Sequence, residues 1–213
     1  MDTLIYFIRH GQSLGNLSQI MLGHTDLDLS PLGYLQAEKT CEELSGVHFD
    51  AIYSSDLIRA YNTAKPHAEL RGMNIITSQK LREMNVGEWE NMHVQDIIDK
   101  YGELFTIGWR KNFGEVVVPG GESADEARER FYSAVLEIAK KHPGETILIT
   151  AHAAVIRLLW GKINNVPPAE LAETYPYPTN ASYSIARWNG KELIPESYSN
   201  DSHLASMSSN FVP

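Results

Sequence analysis

Two short apolar runs, far apart in the chain, restrict its fold most: TLIYFI at Thr3–Ile8 and TILIT at Thr146–Thr150. Both are rich in β-branched residues and too short for helices, so both read as strands, the second a buried one. The segments around them alternate in type. Ser30-Pro31 has the form of an N-cap and first helical residue, and the helix that follows puts Ala37, Cys41 and Leu44 on one face before Gly46 stops it. Phe49–Tyr53 is a second strand. Asp56 is placed to cap a helix with Leu57, Tyr61, Ala64 and Ala68 on one face, with a kink or restart at Pro66. Asn74–Thr77 is a weak third strand, and Met92–Lys111 has a helical pattern broken at Gly102 and Gly108. Glu122–Lys141 is the strongest helix, with Ala124, Ala127, Phe131, Ala134 and Ile138 at helical spacing, and Ala153–Gly161 is a further one. Ser182–Trp188 and Glu192–Ser197 flank Asn189-Gly190, the dipeptide of a tight hairpin. Strands alternating with helices predict a three-layer α/β/α fold: a mostly parallel central sheet, helices on both faces and an antiparallel addition near the end.

A chain of 213 residues, 43% hydrophobic and 21% charged, is expected to form one domain over 1–213. Residues about 84–121 read as a covering subregion and about 200–213, rich in Ser and Asn, as a loosely ordered tail. The mean hydropathy is −0.28. No apolar run reaches about 18 residues and no basic-then-apolar leader opens the chain, which predicts a soluble, cytoplasmic protein with no membrane partner. The single cysteine, Cys41, permits neither an internal disulfide nor a cysteine-based zinc site, and its position makes it a small core residue. A net charge of −9 and a pI near 5.3 leave no basic stripe to displace counterions, so nucleic acid is not an expected partner. The same acidity does not attract anions; a phosphate site must be a local concentration of positive charge. A homodimer is left open.

Such a concentration is predicted at one edge of the sheet. Arg9-His10 follows the first strand directly, His152 follows TILIT by one residue, and Arg59 lies in the first turn of the helix after the second strand. Ligands of open α/β sheets bind outside the carboxyl ends of the strands, so two arginines and two histidines converge there. Arginine presents a planar fork of donors suited to phosphate oxygens and stays charged. The helix N-terminus at Arg59 adds backbone donors, and Gly11 leaves room for a close backbone approach. Taken singly, Arg59 would be a surface charge, Glu83 a solvated acid and His152 a core histidine; their convergence is what favours function. His48, His67, His93 and His142 have no such company, whereas His24 and His203 stay open. The histidines form no helical pair near carboxylates, so a metal site is not expected.

The segments FIRHGQSLGN, SSDLIRAYNTA, LREMNVGEWE, PGGES and ITAHAAVIR, in this order within residues 5–157, resemble the successive motifs of the histidine phosphatase (phosphoglycerate mutase-like) superfamily. The resemblance implies a phosphoglycerate mutase-like fold and a phosphohistidine on His10. It implies that Arg9, Arg59 and His152 hold the phosphoryl group, that Asn16, Gly23 and Ala153 border it, and that Glu83 is the proton donor. A neutral imidazole attacking phosphorus gives a covalent intermediate. Glu83 would give a proton to the leaving oxygen in the first half and take one from water in the second. The arginines and His152 are expected to supply the positive charge, so neither metal nor cofactor is required. The family's His-Gly is His152-Ala153 here, and its Trp-Glu-Gly is Trp89-Glu90-Asn91, which tests the turn after Glu90.

The expected activity is hydrolysis of small phosphate monoesters, the partner being a small phosphorylated metabolite. A cofactor-dependent phosphoglycerate mutase is the alternative. The resemblance gives true mutases a longer insertion with paired arginines and a proline-rich stretch, whereas Trp89–Gly121 holds only Arg110-Lys111 and Pro119. A non-catalytic phospho-ligand-binding module is the reading from another class, and retention of both His10 and Glu83 argues against it. Trp89, Tyr101, Phe105, Trp109 and Phe113 are expected to pack; where they line the pocket they would favour a substrate with an apolar portion and broad selectivity.

Overall fold

In the computed structural model, which describes residues 1–113, 115–207 and 209, the two apolar runs lie side by side. Among the described residues β1 (Thr3–Arg9), β2 (Ala51–Ser55), β3 (Ile75–Ser78), β4 (Thr146–Ala151), β5 (Tyr183–Trp188) and β6 (Leu193–Asn200) form one sheet in the order β3-β2-β4-β1-β5-β6. The first four are mutually parallel; β5 runs antiparallel to β1, and β6 to β5. The register Arg9↔Ala151 brings the carboxyl ends of β1 and β4 level. This is the expected mostly parallel sheet with an antiparallel addition.

Burial follows the two-residue period of the strands. Ile5, Phe7, Ala51, Tyr53, Ile147 and Ile149 face Phe131, Val135, Val155 and Leu159, which belong to α5 (Ala124–Lys141) and α6 (Ala153–Ile163). Ile8, Ile52 and Leu148 face Leu44, Ala64 and Ala68, at the end of α2 (Pro31–Glu43) and in α3 (Ile58–Arg71). Helices on both faces are why the central strands are apolar at nearly every position. Caps set two of these helices. Ser30 accepts the Gly33 N–H ahead of Pro31, and Ser123 with Glu126 forms a capping box on α5. A third apolar cluster joins Trp89, Val94, Ile97, Phe105, Trp109 and Phe113 to Ala127, Ala153, Ala154 and Leu158. It packs the region before α5 onto the start of α6.

Several local expectations are corrected. The second strand begins at Ala51 rather than Phe49. Asp56 does not cap α3: it binds Arg82 through two hydrogen bonds of 2.7 and 2.6 Å, and Asp26 Oδ1 accepts the Ile58 N–H instead. The helix continues through Pro66 because its buried face of Ala60, Thr63, Ala64, His67 and Ala68 is held against the sheet, while Tyr61 is exposed. Gly102, at φ 53°, does end a helix, α4 (Val94–Tyr101), but Gly108 lies inside a π-helical turn at Leu104–Trp109. Two short helices, α1 (Leu14–Leu17) and α7 (Leu171–Thr174), had no sequence signal.

The chain after Asn200 is ordered where it is described. Ser202–Met207 forms tight helical turns with Leu204 fully buried, the Thr40 hydroxyl meets His203 Nε2 at 3.0 Å, and Gln36 donates to the Met207 carbonyl at 2.6 Å. Residue 208 and residues 210–213, also expected to be loose, lie outside the described residues.

Candidate active site

The loop after β1 carries His10 into a cavity of about 530 Å³, its mouth included, lined by Arg9, His10, Asn16, Gly23, Arg59, Glu83 and Ala153 among others. The loop is seated by contact: a Cβ on Gly11 would lie 2.4 Å from the Gly33 carbonyl oxygen. The space that Gly11 leaves admits the backbone of α2 at close range. The Gly11 N–H donates to Thr63 Oγ1, and Thr63 Oγ1 donates to the Arg59 carbonyl, so this loop and α3 are tied together.

His10 is 4% exposed, and its Nδ1 lies 2.7 Å from the Gly11 carbonyl oxygen. A carbonyl can only accept, so Nδ1 carries the proton and Nε2 keeps its lone pair. Burial, then the charges of Arg59 and Arg9, hold the imidazole pKa well below its usual value. The ring is neutral at physiological pH and presents the nitrogen a nucleophile needs.

The two arginines are almost fully buried, Arg9 at 2% and Arg59 at 1% exposure. Arg9 Nη1 donates to the Pro178 carbonyl. Arg59 donates to the carbonyls of Thr25 and Gly23, each at 2.8 Å, and its Nε has no acceptor in the protein. Burial lowers both guanidinium pKa values to about 10, so both remain cations at neutral pH. Gly23 has φ +50°, and a Cβ there would meet Glu90 Oε1 at 2.5 Å, so glycine alone fits this turn.

His152 packs edge-on against His10. The ring centroids are 5.2 Å apart, the residue is fully buried, and neither ring nitrogen has a partner. Burial and the Arg59 charge push its pKa well below the usual value. The expectation that His152 contributes positive charge is thus corrected: the charge is that of the two arginines, and His152 brings a neutral N–H.

A second correction concerns the helix end beside the cavity. The Ile58 N–H at the start of α3 is taken by Asp26; the start of α6, not α3, opens on the site through Ala153 and Ala154. There Glu83 Oε2 accepts from Ala154 N at 3.1 Å, while Oε1 accepts from Val155 N at 3.2 Å and Met84 N at 3.0 Å. The carboxylate caps a helix N-terminus, a favourable place for negative charge. Its main chain is clamped by Arg130 of α5, which donates to the carbonyls of Lys80, Arg82 and Glu83 and pairs with Glu122. Burial pushes the Glu122 carboxyl up, but Arg130 and the Asn85 N–H outweigh it and hold it below the ordinary value. The PGGES segment is thereby a support for the Glu83 loop. His24 belongs to the same support, with Nε2 2.9 Å from the Glu83 carbonyl, whereas His203 packs against α2 through Thr40.

Asn16 accepts at Oδ1 from Ser13 N and from Asn180 Nδ2, which leaves its own amide donors for the cavity. Asn180, also bonded to the His10 carbonyl, was not singled out from sequence, nor were Tyr177 and the Met21, Leu22 and Val86 wall. They lie in irregular segments without periodicity. Of the aromatic residues between Glu83 and α5, Trp109 reaches the cavity; Trp89, Phe105 and Phe113 are core. Asn91 takes φ +64°, a left-handed conformation that asparagine tolerates, so the turn after Glu90 survives without glycine. Among the described residues no group of three His, Cys, Asp or Glu side chains is placed to hold a metal ion, and no helix is long and apolar enough to cross a membrane.

A parallel α/β sheet with a buried neutral histidine, two buried arginines and a carboxylate at its carboxyl edge defines the class: a phosphoryl-handling protein of histidine phosphatase architecture. The family model of the histidine phosphatase superfamily (branch 1) matches residues 5–201, and the chain belongs to that superfamily, among its phosphoric monoester hydrolases. The chain is 32% identical over 182 residues to phosphoserine phosphatase 1 of Hydrogenobacter thermophilus, covering 85% of this chain and 84% of that protein. It is 32% identical over 174 residues to a 2,3-bisphosphoglycerate-dependent phosphoglycerate mutase of Cytophaga hutchinsonii, covering 79% and 81%. A mycobacterial glucosyl-3-phosphoglycerate phosphatase in complex with VO3 superposes with a TM-score of 0.85 at 26% identity, covering 93% of this chain and 99% of that one.

Proposed function

We propose that this protein is a metal-independent phosphatase that hydrolyses small phosphate monoesters through a phosphohistidine on His10. The observation that carries the reading is the Nδ1 contact of His10 with the Gly11 carbonyl, which leaves Nε2 as a buried, neutral nucleophile beside two cations. Nε2 attacks phosphorus in line with the ester oxygen. The N–P bond forms, the P–O bond breaks, and Glu83 gives its proton to the departing alkoxide. A water then enters, Glu83 removes its proton, the new oxygen attacks phosphorus, and His10 and phosphate are regenerated. Oε2 of Glu83 is the oxygen suited to this proton, because it has one N–H partner where Oε1 has two.

Arg9, Arg59 and the amide of Asn16 stabilise the charge on the equatorial oxygens, with the N–H groups of Gly23 and Ala153 at the border. His152 donates to the phosphoryl group as a neutral imidazole. Transfer to water, rather than back to a phosphoglycerate, separates this reading from the mutase activity named for one relative. The test is a panel of phosphomonoesters including 3-phosphoglycerate, assayed in excess EDTA for free phosphate and for isomerised product. Phosphate release with vanadate inhibition is expected. Isomerisation faster than release would establish the mutase, and activity lost to EDTA and restored by zinc would rule out the histidine mechanism.

A further inference from the structure

The chain beyond β6 returns to the loop that carries His10. Ser209, the last of the described residues, accepts the Asn180 N–H at its carbonyl at 3.0 Å. Its hydroxyl accepts from Gln36 Nε2 at 2.9 Å and donates to Asn180 Oδ1 at 3.3 Å. Both amide residues are fully buried, and both reach on into the His10 loop. Gln36 Oε1 accepts the Gln12 N–H at 2.8 Å. Asn180 Nδ2 donates to the His10 carbonyl at 3.1 Å and to Asn16 Oδ1 at 3.2 Å. Beside it, Ala181 is fully buried at φ +59°, its N–H shared between the Arg9 and His10 carbonyls at 3.1 and 3.2 Å. A residue with a side chain keeps such a conformation only where its surroundings over-determine it.

The loop partners force the orientation of each amide. The His10 carbonyl can only accept, so Asn180 turns its nitrogen toward the loop and its oxygen away. The Gln12 N–H can only donate, so Gln36 does the reverse. A group set between the two outward ends must accept from one and donate to the other, which a hydroxyl does. Ser209 thereby closes a network in which Gln36 Nε2 and Asn180 Nδ2 each serve two acceptors. Without this hydroxyl Gln36 keeps the Met207 carbonyl, whereas Asn180 Oδ1 loses its donor in a buried place, a costly state. The loss therefore falls on Asn180, and through it on Asn16 and His10.

Resting on the phosphatase reading above, we propose that Ser209 is a positioning residue for the nucleophile. Its hydroxyl fixes the Asn180 amide, and that amide holds the His10 carbonyl and keeps the donors of Asn16 turned to the phosphoryl oxygens. Neither Ser209 nor Asn180 lines the cavity; both act through His10 and Asn16, which do. The chain after β6 is thus part of the phosphoryl end of the site. The proton-donating end at Glu83 does not depend on it.

The test is Ser209→Ala, assayed well below its melting temperature on p-nitrophenyl phosphate and on 2-glycerophosphate. A fall in kcat/KM of about five- to fiftyfold is expected, by the same factor on both, because the defect lies at the nucleophile and not at the leaving group. Vanadate should also bind the variant more weakly. A merely structural role would lower the melting temperature and leave both readouts unmoved. In an Asn180→Ala background the same substitution should change nothing further. Unchanged kcat/KM in Ser209→Ala overturns the proposal. So does a loss confined to 2-glycerophosphate, which would place the effect at Glu83, and so do losses that multiply in the double variant. Should Asn180→Ala fail to fold, the two-substrate comparison decides alone. Calorimetry with vanadate separates the two levels. Weaker binding to Ser209→Ala with no hydrolysis by the wild type keeps the positioning role and rejects the phosphatase reading. Equal hydrolysis by wild type and variant keeps that reading and rejects the positioning role.

Discussion

The two ends of the active site are built differently. The phosphoryl end stands on the sheet: Arg9 closes β1, His10 follows it, His152 follows β4, and Arg59 opens α3. Each side chain is fixed by a strand end or a helix start that is itself buried. The acid end stands on loops. Glu83 follows a single turn of tight helix, and part of the surrounding wall comes from the region between Glu83 and α5, held by Arg130, Glu122 and the edge-to-face contacts of Trp89, Trp109 and Phe113. The difference teaches a division of labour: the scaffold fixes the bond-making chemistry, while the cover places the proton and chooses the leaving group.

Glu83→Gln tests that division with the largest effect. Loss of the proton donor is expected to lower kcat about 10²–10⁴-fold on alkyl phosphates. With p-nitrophenyl phosphate the loss in the first step shrinks, because the nitrophenolate departs without a proton. Equal losses on both substrates in single-turnover measurements would assign Glu83 some other role.

Arg130→Ala removes the clamp but no group that touches substrate. A drop in kcat on the order of 10- to 10²-fold with little change in KM is expected, with partial rescue by Arg130→Lys. A change confined to KM would detach the clamp from the acid. On the scaffold side, Gly33→Ala places a methyl carbon 2.1 Å from the Gln12 carbonyl oxygen. Overpacking of this kind costs about 1–3 kcal/mol, so denaturant melts should show that loss together with weaker phosphate binding. A neutral result would loosen the proposed seating of the His10 loop.

How much of this was legible in the sequence follows the same division. Residues that sit directly after apolar strands, such as Arg9, His10 and His152, were readable because strand order at a parallel edge brings them together whatever the loops do. The capping of α3 was misread: a local rule pointed to Asp56, but the Arg82 side chain claims that carboxylate from a distance, and Asp26 takes its place. Tyr177 and Asn180 were invisible because the segment Pro176–Ala181 has no period, and its role arises from contacts across more than 160 residues. The ordered segment after β6 was missed for the same reason: its partners, Gln36 and Thr40, belong to α2.

The last test concerns stability alone. Burial, then the Arg71 charge, lowers the His67 pKa to about 3. The folded protein keeps this ring neutral, whereas the unfolded chain protonates it below about pH 6.5. The contribution is therefore fully present above that pH and lost as pH falls toward 3, at up to about 1.4 kcal/mol per pH unit. His67→Gln should flatten this slope in melts between pH 6 and 4; an unchanged slope would place the acid sensitivity elsewhere.

The central claim is that His10 Nε2 takes the phosphoryl group. Rapid quenching of the wild-type protein with a ³²P-labelled monoester, followed by peptide mapping, tests it directly. The account predicts an acid-labile, base-stable label on the peptide carrying His10, formed within one turnover and absent from His10→Ala. A label on another residue, or full turnover by His10→Ala, would contradict it.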